Sequence, residues 1–388
     1  MSEWKKVKLG DVCEITSSKR CLASVRSKSG IPFFCSKEII CLDKGEDFEP
    51  SDFIPEELYN DIKAKYGVPT KGDLLLTTRG TNGIPYIYKS SDTFYFADGN
   101  LSWFKNFKKG LEPQFLYYWF KSPLGIHEVD TISKGTAQKA VPIDGLRRII
   151  MPYPSQHTQN RIVTILSRYD SLIENYQKQI KLLEESAQRL YKEWFIDLRF
   201  PGHENAQIVD GVPEVWEKKK VGDLISKVLR TKQVSANNYL NSGCIPVIDQ
   251  SRNYIAGYTN DIESLVEVNI PYIVFGDHTR VLKYVPFSFA KGADGTQLIM
   301  SNDLERMPQS LFYNSLIEID LSNYSYARHF KYLKEESILV PSKDIAQRYN
   351  KVVSQYFQSI QKSRGQIHHL TEARDRLLPK LMNGEIEV

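Results

Sequence analysis

The sequence predicts an α+β protein that uses one plan twice: two similar strand-rich domains, each followed by a long helix, with the two helices packed on each other. Three observations predict it. A shift of 187 positions aligns "RIVTILSRYDSLIENYQKQIKLLEESAQRL" (161–190) with "RYNKVVSQYFQSIQKSRGQIHHLTEARDRL" (348–377) without a gap. The segments ahead of these helices echo each other, "WKKVKLGDV" (4–12) in "WEKKKVGDL" (216–224) and "SGIPFF" (29–34) in "SGCIPVI" (242–248). Between them, short β-branched and aromatic runs bounded by Gly, Pro, Asn or Asp read as strands and turns.

The four expected segments are a first domain at 1–152, a first spacer helix at 153–200, a second domain at 201–340 and a second spacer helix at 341–388. In the first domain "DLLLTT" (73–78) and "IPYIYK" (84–89) read as strands, "ADG" (97–99) precedes another, and "PQFLYYWFKSPLG" (113–125) reads as one helix. The first spacer helix carries Ile162, Leu166, Tyr169, Ile173, Tyr176, Ile180, Leu183, Ala187, Leu190 and Trp194, an unbroken alternation of four and three. That spacing is a heptad seam for another helix. From Ile162 to Trp194 it would run roughly 50 Å at 1.5 Å per residue.

Pro and Gly mark "FPGHENAQIVDGVPEVW" (200–216) as a link between domains. The second domain repeats the pattern with "PYIVFG" (271–276), "FSFAKG" (287–292), "ADG" (293–295) and a helix at "PQSLFYNSLI" (308–317). The second seam is Tyr349, Val353, Tyr356, Ile360, Ile367, Leu370, Leu377 and Leu381, with Ser363 and Arg374 as polar interruptions. Gly365 should weaken this helix by about 1 kcal/mol relative to Ala. Pro379 should end or kink it near Leu378.

A net charge of +4 over 388 residues does not by itself identify a polyanion binder. The second domain is mildly acidic, with 14 basic against 17 acidic residues in 201–340, so any polyanion-binding face there has to be a local patch. No apolar run is long enough for a signal peptide or membrane span, and a cytoplasmic location is expected. The five cysteines form no CxxC pair and read as reduced thiols rather than zinc ligands.

Three phrases resemble a known family: "MPYPSQHTQNRI" (151–162), "YKEWFIDLRFPGHE" (191–204) and "DRLLPKLMNGEIEV" (375–388). With the repeated domain-plus-helix plan, the chain resembles the specificity subunit of type I restriction-modification enzymes. The resemblance implies that each globular unit is a target recognition domain reading one half of a split double-stranded DNA target. It also implies that the two helices pair as an antiparallel coiled coil with pseudo-twofold symmetry, set the gap and dock two modification subunits. Those subunits would carry S-adenosylmethionine, leaving this chain without a cofactor, and restriction subunits would complete the assembly. Because the two domains differ in sequence, the two half-sites should differ.

Base reading needs Arg, Lys, Asn, Gln or His on loops that reach a groove. "TTRGTNG" (77–83) offers Arg79 and Asn82, and its counterpart "FGDHTR" (275–280) offers His278 and Arg280. Further candidates are Lys134, Gln138 and Lys139 in "SKGTAQKAV", and Arg328 and His329 in "YSYARHF". Gln250, Arg252 and Asn253 in "DQSRNYIAG", and Lys19, Arg20, Arg26 and Lys28, could grip phosphates, or sit on ordinary solvated loops.

The rival reading is an enzyme with fused recognition domains. The chain has no Asn-Pro-Pro-Tyr-like tetrapeptide, no glycine-rich strand-to-helix turn and no phosphate loop. His127–Glu128 and His203–Glu204 stand alone, without partners at catalytic or metal spacing. Each domain is already only about as large as one ordinary domain. A catalytic residue or resident metal is therefore not expected.

Overall fold

The structure, a computed structural model, describes residues 4–45, 48–135, 139–228, 231–293, 295–324 and 328–388. It forms two compact units, Met1–Asn175 with Gln366–Val388, and Tyr176–Gly365.

In the first unit Lys5–Lys8 pairs antiparallel with Ile150–Tyr153, so the start of the domain closes on its end. A four-stranded antiparallel sheet follows, in the order Glu14–Thr16, Leu101–Lys105, Leu74–Thr77, Pro85–Ile87. Leu74, Leu75 and Leu76 are all fully buried, as a central strand covered on both faces requires. A smaller sheet joins Phe53–Ile54, Ile31–Phe34 and Tyr95–Phe96, the last two running parallel.

The second unit repeats this topology. Glu217–Lys220 pairs with Ser337–Val340, and Leu282–Val285, Tyr272–Gly276 and Thr296–Ile299 form the antiparallel sheet. The strands Ile245–Ile248 and Phe289–Lys291 make the matching parallel pair. The shared "GD" of the two domain heads also has a cause. A Cβ on Gly10 would lie 3.1 Å from the Arg147 carbonyl oxygen, and one on Gly222 would lie 3.1 Å from that of Lys334.

The expected single helix over 113–125 is two helices, Pro113–Lys121 and Pro123–Ile132. Pro123 disfavours helical backbone at Ser122, which is extended at φ −77°, ψ 156°. The Ser122 Oγ then donates to the Trp119 carbonyl and accepts from Gly125 N–H, turning the break into a cap.

The first long helix spans Gln156–Tyr191 and continues through a π-helical turn at Lys192–Ile196. It starts before Ile162 because Ser155 caps it, accepting from Thr158 N–H at 3.2 Å. The second runs Lys343–Met382 and does not stop at Leu378. Pro379 sits in its last turn, where only the exposed Asp375 carbonyl loses its donor, while Leu381 and Met382 are fully buried.

Within each unit, segments of the two long helices pack together, and in antiparallel sense. In the first, Ile162 and Leu166 share a core with Leu378, Leu381 and Met382. In the second, Tyr349, Val353 and Ile360 share one with Ala187, Tyr191 and Phe195. All seam residues are buried or half-buried, whereas Leu172 and Leu182 face outward at 46% and 63% exposure.

Both polar interruptions meet partners on the opposite helix. Ser363 is buried and donates to Gln179 Oε1 at 3.3 Å. Arg374 donates to Asp170 at 2.7 Å, and Asp170 also accepts from the Tyr118 hydroxyl at 2.6 Å. Such satisfied polar pairs favour one register over its neighbours, since a slipped seam would strand a charge against apolar side chains.

Candidate nucleic-acid interface

In the first unit the central strand ends at Thr77, whose N–H and carbonyl bond Ile84 and Gly83 and so close a short loop. Thr78, at 3% exposure, is the node beneath it: its N–H donates to the Asn100 carbonyl at 2.8 Å and its carbonyl accepts from Val141 N–H at 2.9 Å. Arg79 projects next, exposed, with its backbone bridged to Ala140. Lys134 and Ala140 exchange two backbone hydrogen bonds at 2.9 Å, and Asn82 Nδ2 donates to the Lys139 carbonyl at 3.3 Å. Two loops more than fifty residues apart thus bring Arg79, Asn82, Lys134 and Lys139 onto one surface. Gln138 lies outside the described residues.

The second unit has the same node. Asp277, 4% exposed, donates its N–H to the Gly295 carbonyl at 2.7 Å, and its carbonyl accepts from His329 N–H at 2.9 Å. Its Oδ1 also accepts from Phe330 N–H at 2.8 Å, capping the helix His329–Glu335. The loop above exposes His278 and Arg280, and the Arg280 guanidinium reaches the Leu321 carbonyl at 3.0 Å. Gln250 braces the loop from the side, its Oε1 accepting from His278 N–H and its carbonyl from the Thr279 hydroxyl. Arg252 and Asn253 are exposed on that neighbouring loop, and Arg328 is exposed beside it in sequence to the capped helix.

His329, expected among the contacts, is instead 4% exposed. Its ring nitrogens approach the carbonyls of Asp277 and Tyr324, each at 2.9 Å, which puts it behind the loop as a brace. The phosphate candidates are also partly engaged within the fold: Arg26 pairs with Asp52 at 2.8 Å over the Phe33 ring, and Lys19 lies over Tyr66. Thr78 and Asp277 were missed by reading loops for exposed polar residues. Aligning "TTRG" with "GDHT" puts one above the other, and that alignment was the available signal.

A buried glutamine was missed as well. Gln159 donates to the Gly110 and Pro154 carbonyls at 2.8 and 2.9 Å and accepts from Glu112 N–H at 2.9 Å, fixing the start of the first long helix to its domain. Cys13 is a buried thiol that burial pushes up to about 12, the mark of an inert cysteine. Among the described residues no helix is long and apolar enough to cross a membrane, and no three His, Cys, Asp or Glu side chains are grouped to hold a metal.

Residues 1–185 match the family model described as type I restriction modification DNA specificity domain. The type I restriction enzyme MjaIX specificity subunit of Methanocaldococcus jannaschii is 27% identical over 423 residues, covering 100% of this chain and 94% of that protein. A putative type I restriction enzyme specificity subunit of Haemophilus influenzae is 31% identical over 190 residues, 48% of this chain and 46% of that one. The fold is similar to the crystal structure of the type I restriction-modification S subunit from M. genitalium, with a TM-score of 0.57 and 17% identity over 98% of this chain and 96% of that one. This chain belongs to the specificity subunits of type I restriction-modification systems, the non-catalytic subunits that give those complexes their DNA specificity and leave S-adenosylmethionine to the modification subunit.

Proposed function

We propose that the domains at 1–152 and 201–340 each read one half of an asymmetric bipartite duplex target. The helices at 153–200 and 341–388 set the gap and dock two modification subunits, and restriction subunits join the full assembly in the cytoplasm. The observation that carries this reading is the recurring node: a buried residue, Thr78 or Asp277, fixed by the same two backbone hydrogen bonds beneath an exposed loop bearing Arg79 or His278 and Arg280. Rigid support under adaptable donors suits a reader, since base discrimination needs side chains held at a set depth in the groove. Differences between the loops in the two units favour unlike half-sites.

In this reading Arg79, His278 and Arg280 face base edges, Arg252 and Asn253 face the DNA from the adjoining loop, and Asn82 and Gln250 brace the two loops through their amides. Lys134, Lys139 and Arg328 face the backbone or the groove margin. His329 positions rather than contacts. The test is selection from a library of bipartite sites by the chain co-expressed with its modification subunits. Arg79→Ala should cost about 1–3 kcal/mol at one or two positions of the first half-site and leave the second intact. Lys139→Ala should weaken binding evenly across sequences and lower the salt slope by about 1. A footprint with no sequence preference, or a single contiguous half-site, would contradict the reading.

A further inference from the structure

We propose that Lys283 is a positioning residue that fixes the 249–253 loop and thereby sets the base discrimination of the second domain. This rests on the reading of that loop as DNA-facing. Lys283 lies on the strand Leu282–Val285 with its side chain 4% exposed, out of reach of DNA. Its ammonium donates to the Asp249 carbonyl at 2.8 Å and to the Asn253 carbonyl, and stands 3.7 Å from Asp249 Oδ1. One cation therefore holds both ends of the five residues that include Gln250, Arg252 and Asn253.

The clamp extends on either side. Asp249 Oδ1 accepts from the Ser251 N–H and hydroxyl, tightening the turn inside it. The Tyr254 hydroxyl donates to the Tyr284 carbonyl, next along from Lys283, at 2.6 Å. Through Gln250 the same loop braces His278 and Thr279. An ammonium has three donors and no acceptor, and here a carboxylate and two carbonyls meet it; an apolar side chain of equal length would leave both carbonyls without that donor.

Among the described residues the first domain has no counterpart of this clamp. Lys283 pairs in register with Val274, and the matching pair in the first unit is Tyr86 with Leu75; Tyr86 donates to Asp92 instead. A defect at Lys283 should thus be confined to one half-site.

The clamp should also respond to pH. Burial pushes the Lys283 ammonium down to about 8, with Asp249 opposing. A cavity of about 250 Å³ on its flank brings Arg252, Glu184 and Arg364 near, along with the phenols of Tyr254, Tyr284 and Tyr313, which burial pushes upward and out of this range. The charged form carries the clamp, so it is complete below pH 8 and loses one donor and its attraction to Asp249 above it.

The experiment scores base discrimination at both half-sites, from the same library, for the chain assembled with its modification subunits. Lys283→Met should lower discrimination at the second half-site about tenfold, with the first unchanged as the internal measure of folding. Wild-type discrimination at the second half-site should fall several-fold between pH 7 and pH 9 relative to the first, and Lys283→Arg, charged throughout, should flatten that profile. If Arg252→Ala impairs the second half-site while Lys283→Met and pH do not, Lys283 is no positioning residue and the DNA-facing reading stands. If neither variant changes it, both readings fall, and equal loss at both half-sites would reduce Lys283 to a structural residue.

Discussion

Tyr349→Ala is expected to destabilise the second unit by about 3–5 kcal/mol, the range for removing a large buried aromatic side chain. Tyr349 is fully buried on the second long helix, and its ring meets Tyr191, Trp194 and Phe195 edge-on at centroid distances of 6.4, 5.9 and 5.1 Å. The alanine variant would open a cavity where the end of one helix, the start of the other and the domain core converge. Tyr349→Phe should cost only about 1 kcal/mol, because it removes the 3.2 Å bond from the hydroxyl to the Ala187 carbonyl and keeps the packing. Denaturant unfolding followed by tryptophan fluorescence checks both, and equal effects of the two variants would show that packing is not what Tyr349 supplies. The repeat puts Ile162 at this position of the first unit, beside Leu378, Leu381 and Met382, so the two units solve the same junction with aliphatic and with aromatic side chains.

Asp277→Ala is expected to lower discrimination at the second half-site about ten- to a hundredfold while the first is still read. The change removes the carboxylate that accepts from Phe330 N–H, a charge-assisted bond worth about 1.5–3 kcal/mol, and so loosens the helix His329–Glu335 against the loop that carries His278 and Arg280, while the bonds from His329 to the residue-277 carbonyl remain. Asp277→Asn keeps an acceptor in place and should restore most of the discrimination. Half-site selection by the assembled complex is the readout, and an unaltered second half-site in the alanine variant would remove the node from the account of specificity.

The parts of this fold that were legible in sequence are those whose physics is local. The spacer seam announced itself because alternation of four and three is a property of neighbouring residues, and strands such as Leu74–Thr77 and Tyr272–Gly276 are short apolar runs with turn residues at their ends. The break at Ser122 was written in Pro123, but the apolar run through Phe115, Trp119 and Phe120 outweighed it. The persistence of helix past Pro379 was not legible, since it depends on how deeply Leu381 and Met382 are buried by the first domain.

Polar residues were the harder case. His329 has the chemistry of a DNA contact, and only its burial against Asp277 and Tyr324 puts it behind the surface. Lys283 finds Asn253 30 residues away, Gln159 finds Gly110 49 away and Asp277 finds Phe330 53 away, and no spacing rule links these pairs. Repetition supplied the signal that composition could not: the second copy of a loop tells which of its residues occupy the same node.

In the proposed reading, two readers are held apart by paired helices whose length sets the spacing of the target. Inserting one heptad into both helices preserves the seam and adds about 10 Å to each. Selection from a library of bipartite sites by the complex with its modification subunits should then return the same two half-sites with a changed gap between them; the same half-sites at an unchanged gap would contradict the account.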